Sequence, residues 1–107
     1  MVEAVLKAAG IKYRRCRFTS PPAETYAVYF DDVTTDGADC CAPSIFLHSI
    51  SIEVYEPRPD DKTEASAEKA MSDLGLKWEK QDRYWLQSEQ RYQVVYEFEY
   101  TEKKGAV

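Results

Sequence analysis

The stretch Tyr92-Gln93-Val94-Val95-Tyr96-Glu97-Phe98-Glu99-Tyr100 decides the fold class. Tyr92, Val94, Tyr96, Phe98 and Tyr100 alternate with Gln93, Val95, Glu97 and Glu99. A period of two places one set on a buried face of a strand and the other toward water. Aromatic and β-branched side chains at that density favour a pleated strand over a helix. The same period recurs upstream in the segment from Ser44 to Glu56, where Phe46, His48, Ile50, Ile52 and Val54 alternate with Leu47, Ser49, Ser51, Glu53 and Tyr55. Pro57 and Pro59 stop that strand. Ile52, Val94 and Tyr96 are expected in the core, and Glu53 and Glu97 on the outside.

Working outward, Tyr26 to Phe30 is a further strand rich in β-formers. Ile11 to Phe18 also predicts a strand, with a bulge near Arg14–Arg15 because its apolar residues change face midway. Ser20-Pro21-Pro22 forces an extended connection. Leu76 to Gln81 predicts a short strand, Asp82–Arg83 a turn, and Tyr84 to Glu89 a segment that pairs back. Two amphipathic helices complete the set. Val2, Val5, Leu6 and Ala9 share a face that ends at Gly10. Ala67, Ala70, Met71 and Leu74 share another, opened by Asp61 with Glu64 in a capping box and ended at Gly75. Leu74 is expected to be buried. The order is α-β-β-β-α-β-β. The fold class is therefore α+β, a single domain spanning 1–107 with a mainly antiparallel sheet flanked by two helices. Two helices can cover one face of such a sheet. The other, carrying Tyr55, Val95 and acidic side chains, is left to solvent or a neighbour.

At 107 residues there is room for one core and little to spare. The net charge of −5 argues against binding to phosphate backbones, which needs clustered cations. The one dense basic run, Lys12-Tyr13-Arg14-Arg15-Cys16-Arg17, suits an edge strand, where charge discourages unwanted pairing. An odd cysteine count (Cys16, Cys40 and Cys41) and the lack of a signal peptide point to a reducing compartment. No apolar run approaches the roughly 20 residues that span a bilayer, so no membrane partner is expected.

Candidate chemistry is sparse. Cys40-Cys41 near Asp36, Asp39 and His48 lacks the ligand spacing of structural zinc, so no metal is expected there. Cys16 reads as a small apolar residue at the sheet. His48, the sole histidine, lies in phase with Phe46 and Ile50 and reads as a hydrogen-bonded strand histidine rather than a general base. No glycine-rich phosphate cradle or nucleophile elbow occurs, so neither an enzyme nor a cofactor is expected. Asp31 to Pro43 stands apart. It holds Asp31, Asp32, Asp36 and Asp39 with almost no large apolar side chains, and predicts a long acidic loop or a hairpin end with a mobile tip. These four Asp are the candidate interface residues.

The closing run Asp82-Arg83-Tyr84-Trp85-Leu86-Gln87-Ser88-Glu89-Gln90-Arg91, continuing through Tyr92 to Tyr100, resembles the ending of the tail-terminator proteins of siphophages and their prophages. Pro21-Pro22, Tyr26-Ala27-Val28-Tyr29, Gly37-Ala38-Asp39 and Ile52-Glu53-Val54-Tyr55 are similar too, so the resemblance covers nearly the whole chain. It implies a lambda-type tail-terminator-like domain that forms a ring, typically hexameric, on the finished tail tube. The implied partners are further copies of the chain, the tail-tube protein and the head-connector protein. The implied location is the bacterial host cytoplasm during assembly and then the virion tail. No catalytic residues come with the resemblance. A monomeric tail-assembly chaperone, or a module that binds a partner strand at its edge, is the alternative. Within a ring, the acidic segment would clamp a neighbouring subunit or line the lumen.

Overall fold

Three long strands carry the architecture. In the computed structural model, which describes residues 1–36 and 44–104, β2 (Tyr26–Asp36), β3 (Ser44–Glu56) and β6 (Arg91–Lys104) run antiparallel, with β3 in the middle. Ile52 sits opposite both Tyr29 and Tyr96, and Val54 opposite both Ala27 and Val94. The alternating apolar residues of all three strands therefore reach one face. A short strand β1 (Lys12–Arg15) adds to β2 in parallel, and β4 (Glu79–Lys80) and β5 (Tyr84–Leu86) both pair with the outer side of β6. The sheet is thus mixed, with four antiparallel pairings and one parallel.

Helices α1 (Val2–Ala9) and α2 (Asp61–Asp73) lie on the Ile52 face. Val2, Val5 and Leu6 of α1, with Ala67 and Met71 of α2, close the core over Ala27, Ile52, Val54, Val94 and Tyr96. Gly10 ends α1 in the left-handed conformation, φ 72°, as its position predicts. Among the described residues no helix is long and apolar enough to cross a membrane.

Three local expectations need correction. The N-cap of α2 is Asp60, not Asp61. Its carboxylate accepts from the Thr63 backbone N–H (3.1 Å), and from the hydroxyls of Thr63 and Thr25 (2.8 Å each). Three such donors hold its pKa below the usual value against the opposing effect of burial. Leu74 is 45% exposed. Gly75 turns left-handed (φ 75°), with its N–H on the Ser72 carbonyl and the Leu76 N–H on the Met71 carbonyl, a Schellman closure that hands the core position to Leu76. The first strand is only Lys12–Arg15. It ends not in a bulge but at a left-handed Cys16 (φ 70°), whose N–H meets the Tyr29 carbonyl. Cys16 is exposed, because that turn directs it away from the sheet's packed face.

The opposite face of the sheet is partly roofed by the segment after Cys16. Phe18 packs edge-on against Tyr26, and Tyr26 stacks on Tyr55 at 5.0 Å. The Arg91 guanidinium lies over Tyr26 and donates to the carbonyls of Pro22, Ala23 and Glu24, pinning the proline segment in place. Tyr55, expected to be left to solvent, is instead half-buried.

A buried branched residue and an exposed one should respond very differently to truncation. Ile52→Ala should lower stability by about 2–5 kcal/mol in a urea titration, and Leu74→Ala by under about 0.5. Equal effects would contradict the assignment of Leu76, rather than Leu74, to the core.

Candidate functional site

The acidic segment is not a loop along its whole length. Residues 31–36 continue β2 and pair in register with β3 from Asp31↔Ile50 to Asp36↔Ile45. Val33, Thr34 and Thr35 are β-branched, and a long apolar partner strand waits beside them, so the ladder extends. Strand alternation then separates the first two acids. Asp31 points to the helix-side face, while Asp32 points to the opposite face and is exposed. Asp36 is the last residue of β2, and Asp39 lies outside the described residues, as do Cys40 and Cys41.

Asp31 has a partner that spacing alone does not reveal. Both of its carboxylate oxygens lie 3.0–3.1 Å from His48 Nδ1, and Glu102 Oε1 lies 3.0 Å from Nε2. The imidazole is also stacked on Tyr100, at 4.4 Å and 4° between planes. This cluster links β2, β3 and β6 across their width. A neutral imidazole carries one N–H, but here two carboxylates, which only accept, face both ring nitrogens. The geometry calls for an imidazolium. Burial depresses its pKa, but the hydrogen bonds and charges of Asp31 and Glu102 outweigh that and raise it above the ordinary histidine value.

These residues sit on an arm. The helix-side face stays covered as far as Ile50 and Phe98, both buried, whereas Val33 is 46% exposed. Among the described residues, no strand pairs with the outer side of β2 beyond Tyr29, and none pairs with that of β6 beyond Glu97. The Tyr29 carbonyl accepts Cys16 N–H and the Asp31 carbonyl meets Arg15, so Asp31, Val33 and Thr35 turn their backbone groups outward. On β6 the Val95 carbonyl accepts Gln81 N–H, so Glu99 and Thr101 turn outward by the same alternation. Two open edges thus flank the arm. They stand at one level of the sheet, because Phe30 aligns through Ser51 with Glu97, and Asp36 through Ile45 with Lys103.

A second group of charges lies behind the helices. Arg83 donates to Glu64 Oε2 (2.8 Å) and Asp61 Oδ1 (3.0 Å), and its Nε lies 3.5 Å from Glu56 Oε1. Lys80 Nζ bridges Glu64 (2.8 Å) and Glu68 (2.7 Å), and the Tyr96 hydroxyl donates to the same Glu68. Glu56 is fully buried, and among the described residues neither of its oxygens has a hydrogen-bond partner. Burial and the adjacent Glu64 carboxylate push its pKa up to about 8. Glu64 moves the other way. Burial opposes ionisation, but Glu56, Lys80 and Arg83 bring it below its usual value. The arrangement fastens α2 to the β4–β5 turn. Sequence reasoning missed it, although the signal was there. Glu56 continues the core phase of Ile52 and Val54, and Glu64 the helical phase of Ala67 and Met71. Among the described residues, no cluster of His, Cys, Asp and Glu is arranged to hold a metal ion.

No protein-family model and no curated protein sequence matches the chain. Among solved structures it is similar to a chain of the "Virion of native gene transfer agent (GTA) particle", with a TM-score of 0.61 and 16% identity over 94% of this chain and 84% of that one. At that identity the likeness is one of fold.

The Glu56 carboxyl generates a pH prediction. A folded pKa raised from 4.5 to about 8 means that the native state holds a proton the unfolded chain releases, so this group's contribution to stability declines between those values as pH rises. Glu56→Gln keeps the shape and removes the titration. Urea titrations at pH 5 and pH 8 should show a smaller decline in the variant than in the wild type. An unchanged difference between the two pH values would contradict the buried protonated carboxyl.

Proposed function

We propose that the chain is a structural tail protein of a phage or prophage that caps the tail tube as a ring, hexameric as in the family it resembles, and joins tail to head. The observation that carries this reading is the pair of open strand edges at one level of the sheet. β2 and β6 both run antiparallel to β3, so they run parallel to each other. In a cyclic assembly, β6 of one copy would meet β2 of the next in parallel. A head-to-tail contact closes into a ring when its net rise is zero, and otherwise grows into a filament. Edges at equal height favour closure. The likeness of fold to a chain of a virion supports a structural role.

The alternative, a monomeric chaperone or strand-binding module, needs one open edge to take a partner strand. Two matched edges favour the ring. In it, the exposed Asp32, on the face opposite the helices, would line the lumen or meet a neighbour. Asp36 and Asp39, the other two candidate interface residues, would do the same.

Proline on an outward-facing strand position removes an exposed N–H without breaking a ladder hydrogen bond inside the sheet. Val33→Pro and Thr101→Pro should each leave a folded monomer by circular dichroism. Each should abolish rings on tail tubes seen by electron microscopy, and give overgrown tubes in a phage-complementation assay. Mixing the two variants should yield pairs but no rings, because each retains one good edge. Capped tubes of normal length with both variants would overturn the edge-to-edge ring.

A further inference from the structure

The His48 cluster does more than satisfy a buried side chain. We propose that the imidazolium of His48 is a latch that ties the three strands of the arm together, and that loss of its Nε2 proton releases the outer end of β6. The latch stands on the free protein's geometry and does not depend on the ring.

Beyond the helix layer the arm's apolar packing thins, since Val33 and Ile45 are exposed and Phe46, Leu47 and Tyr100 only half-buried. In their place is one cation between two anions. The titratable groups that face the ring among the described residues are Asp31 from β2, and Glu102 and the stacked Tyr100 from β6. The two carboxylates differ in exposure, with the Asp31 side chain 19% accessible and that of Glu102 44%. When a base in solution removes one ring proton, the nitrogen left bare presents its lone pair to a carboxylate. The less costly rearrangement keeps Nδ1–H on the two oxygens of Asp31, the less exposed of the two carboxylates. Glu102 then turns to water, and with it goes the hydrogen bond from His48 to the end of β6, leaving the stacking on Tyr100.

The direction in pH follows from the raised pKa. The stabilisation is complete below the unfolded histidine value of about 6.5 and is lost as pH rises through the higher folded value. The latch therefore stays closed to a higher pH than an ordinary histidine would allow, and opens above that.

His48 is the only histidine, so its two ring nitrogens can be followed without ambiguity in the full ¹⁵N-labelled chain by long-range ¹H–¹⁵N correlation. At pH 7 both nitrogens should carry protons. The midpoint should lie above 6.5, and the neutral form should keep its proton on Nδ1. Amide protection at residues 44–49 and 98–102, corrected for intrinsic exchange, should fall across the same midpoint while that of α1 and of residues 52–54 holds. In His48→Gln, protection of the arm at pH 7 should fall about tenfold and lose its pH step. If that variant does not fold, Glu102→Gln gives the second reading, with a lower His48 midpoint and weaker protection of residues 98–102. A neutral ring at pH 7, a proton retained on Nε2, or arm protection that ignores the His48 midpoint would overturn the latch.

Discussion

The sheet is longer than the helices that cover it. An α-helix rises about 1.5 Å per residue and a strand about 3.3 Å. The 13 residues of α2 therefore span roughly 20 Å, while the 13 residues of β3 span roughly 43 Å. The 8 residues of α1 span less than α2. One end of the three long strands consequently has no helix above it, and the domain measures 50 × 28 × 21 Å. From that mismatch come the exposed arm, its two unpaired edges and the need to hold the arm by something other than a core.

The molecule uses buried charge differently at its two ends. Under the helices, Glu56 and Glu64 sit side by side, and Arg83 and Lys80 are supplied from the β4–β5 region to bind Glu64. That cluster is anchored by a full apolar core, and a carboxyl held neutral is tolerated within it. On the arm there is no such core, and His48 stands between Asp31 and Glu102 instead. Edge strands usually carry charge, bulges or covering segments that prevent association. At the helix end β1, β4 and β5 do this work with short paired pieces. The arm lacks such cover on either side among the described residues, as the proposed ring requires.

Much of this was legible in the sequence. The alternation at Tyr92–Tyr100 and Phe46–Val54 identified both the strands and their buried faces, because side chains on a pleated strand have no third direction. Part of what failed shares a cause, contacts between elements distant in sequence, and part is local turn geometry. Asp31 looked like the start of an acidic loop because its partners lie 17 residues away at His48 and, through that ring, at Glu102. Composition therefore suggested a loop where β-branched Val33–Thr35 pair with a neighbouring strand. Leu74 had the right helical phase, but the Schellman turn at Gly75 passed the core position to Leu76. Glu56 and Glu64 are in core phase, but Glu64 reads in the sequence as part of a capping box, and only the fold shows Arg83 and Lys80 arriving to receive it. Asp31 and Asp32 share a segment and not a surface, a distinction that depends on strand parity once the segment is a strand.

On the proposed function, the arm's two edges join copies of this chain. The most direct measurement is an electron cryo-microscopy reconstruction of the protein assembled on tail tubes, at a resolution that traces strands. The predicted result is a closed ring in which β6 of each copy hydrogen-bonds in parallel to β2 of the next along the arm. A ring held through the helices with both arm edges facing solvent, or a single copy bound with no neighbour, would contradict it.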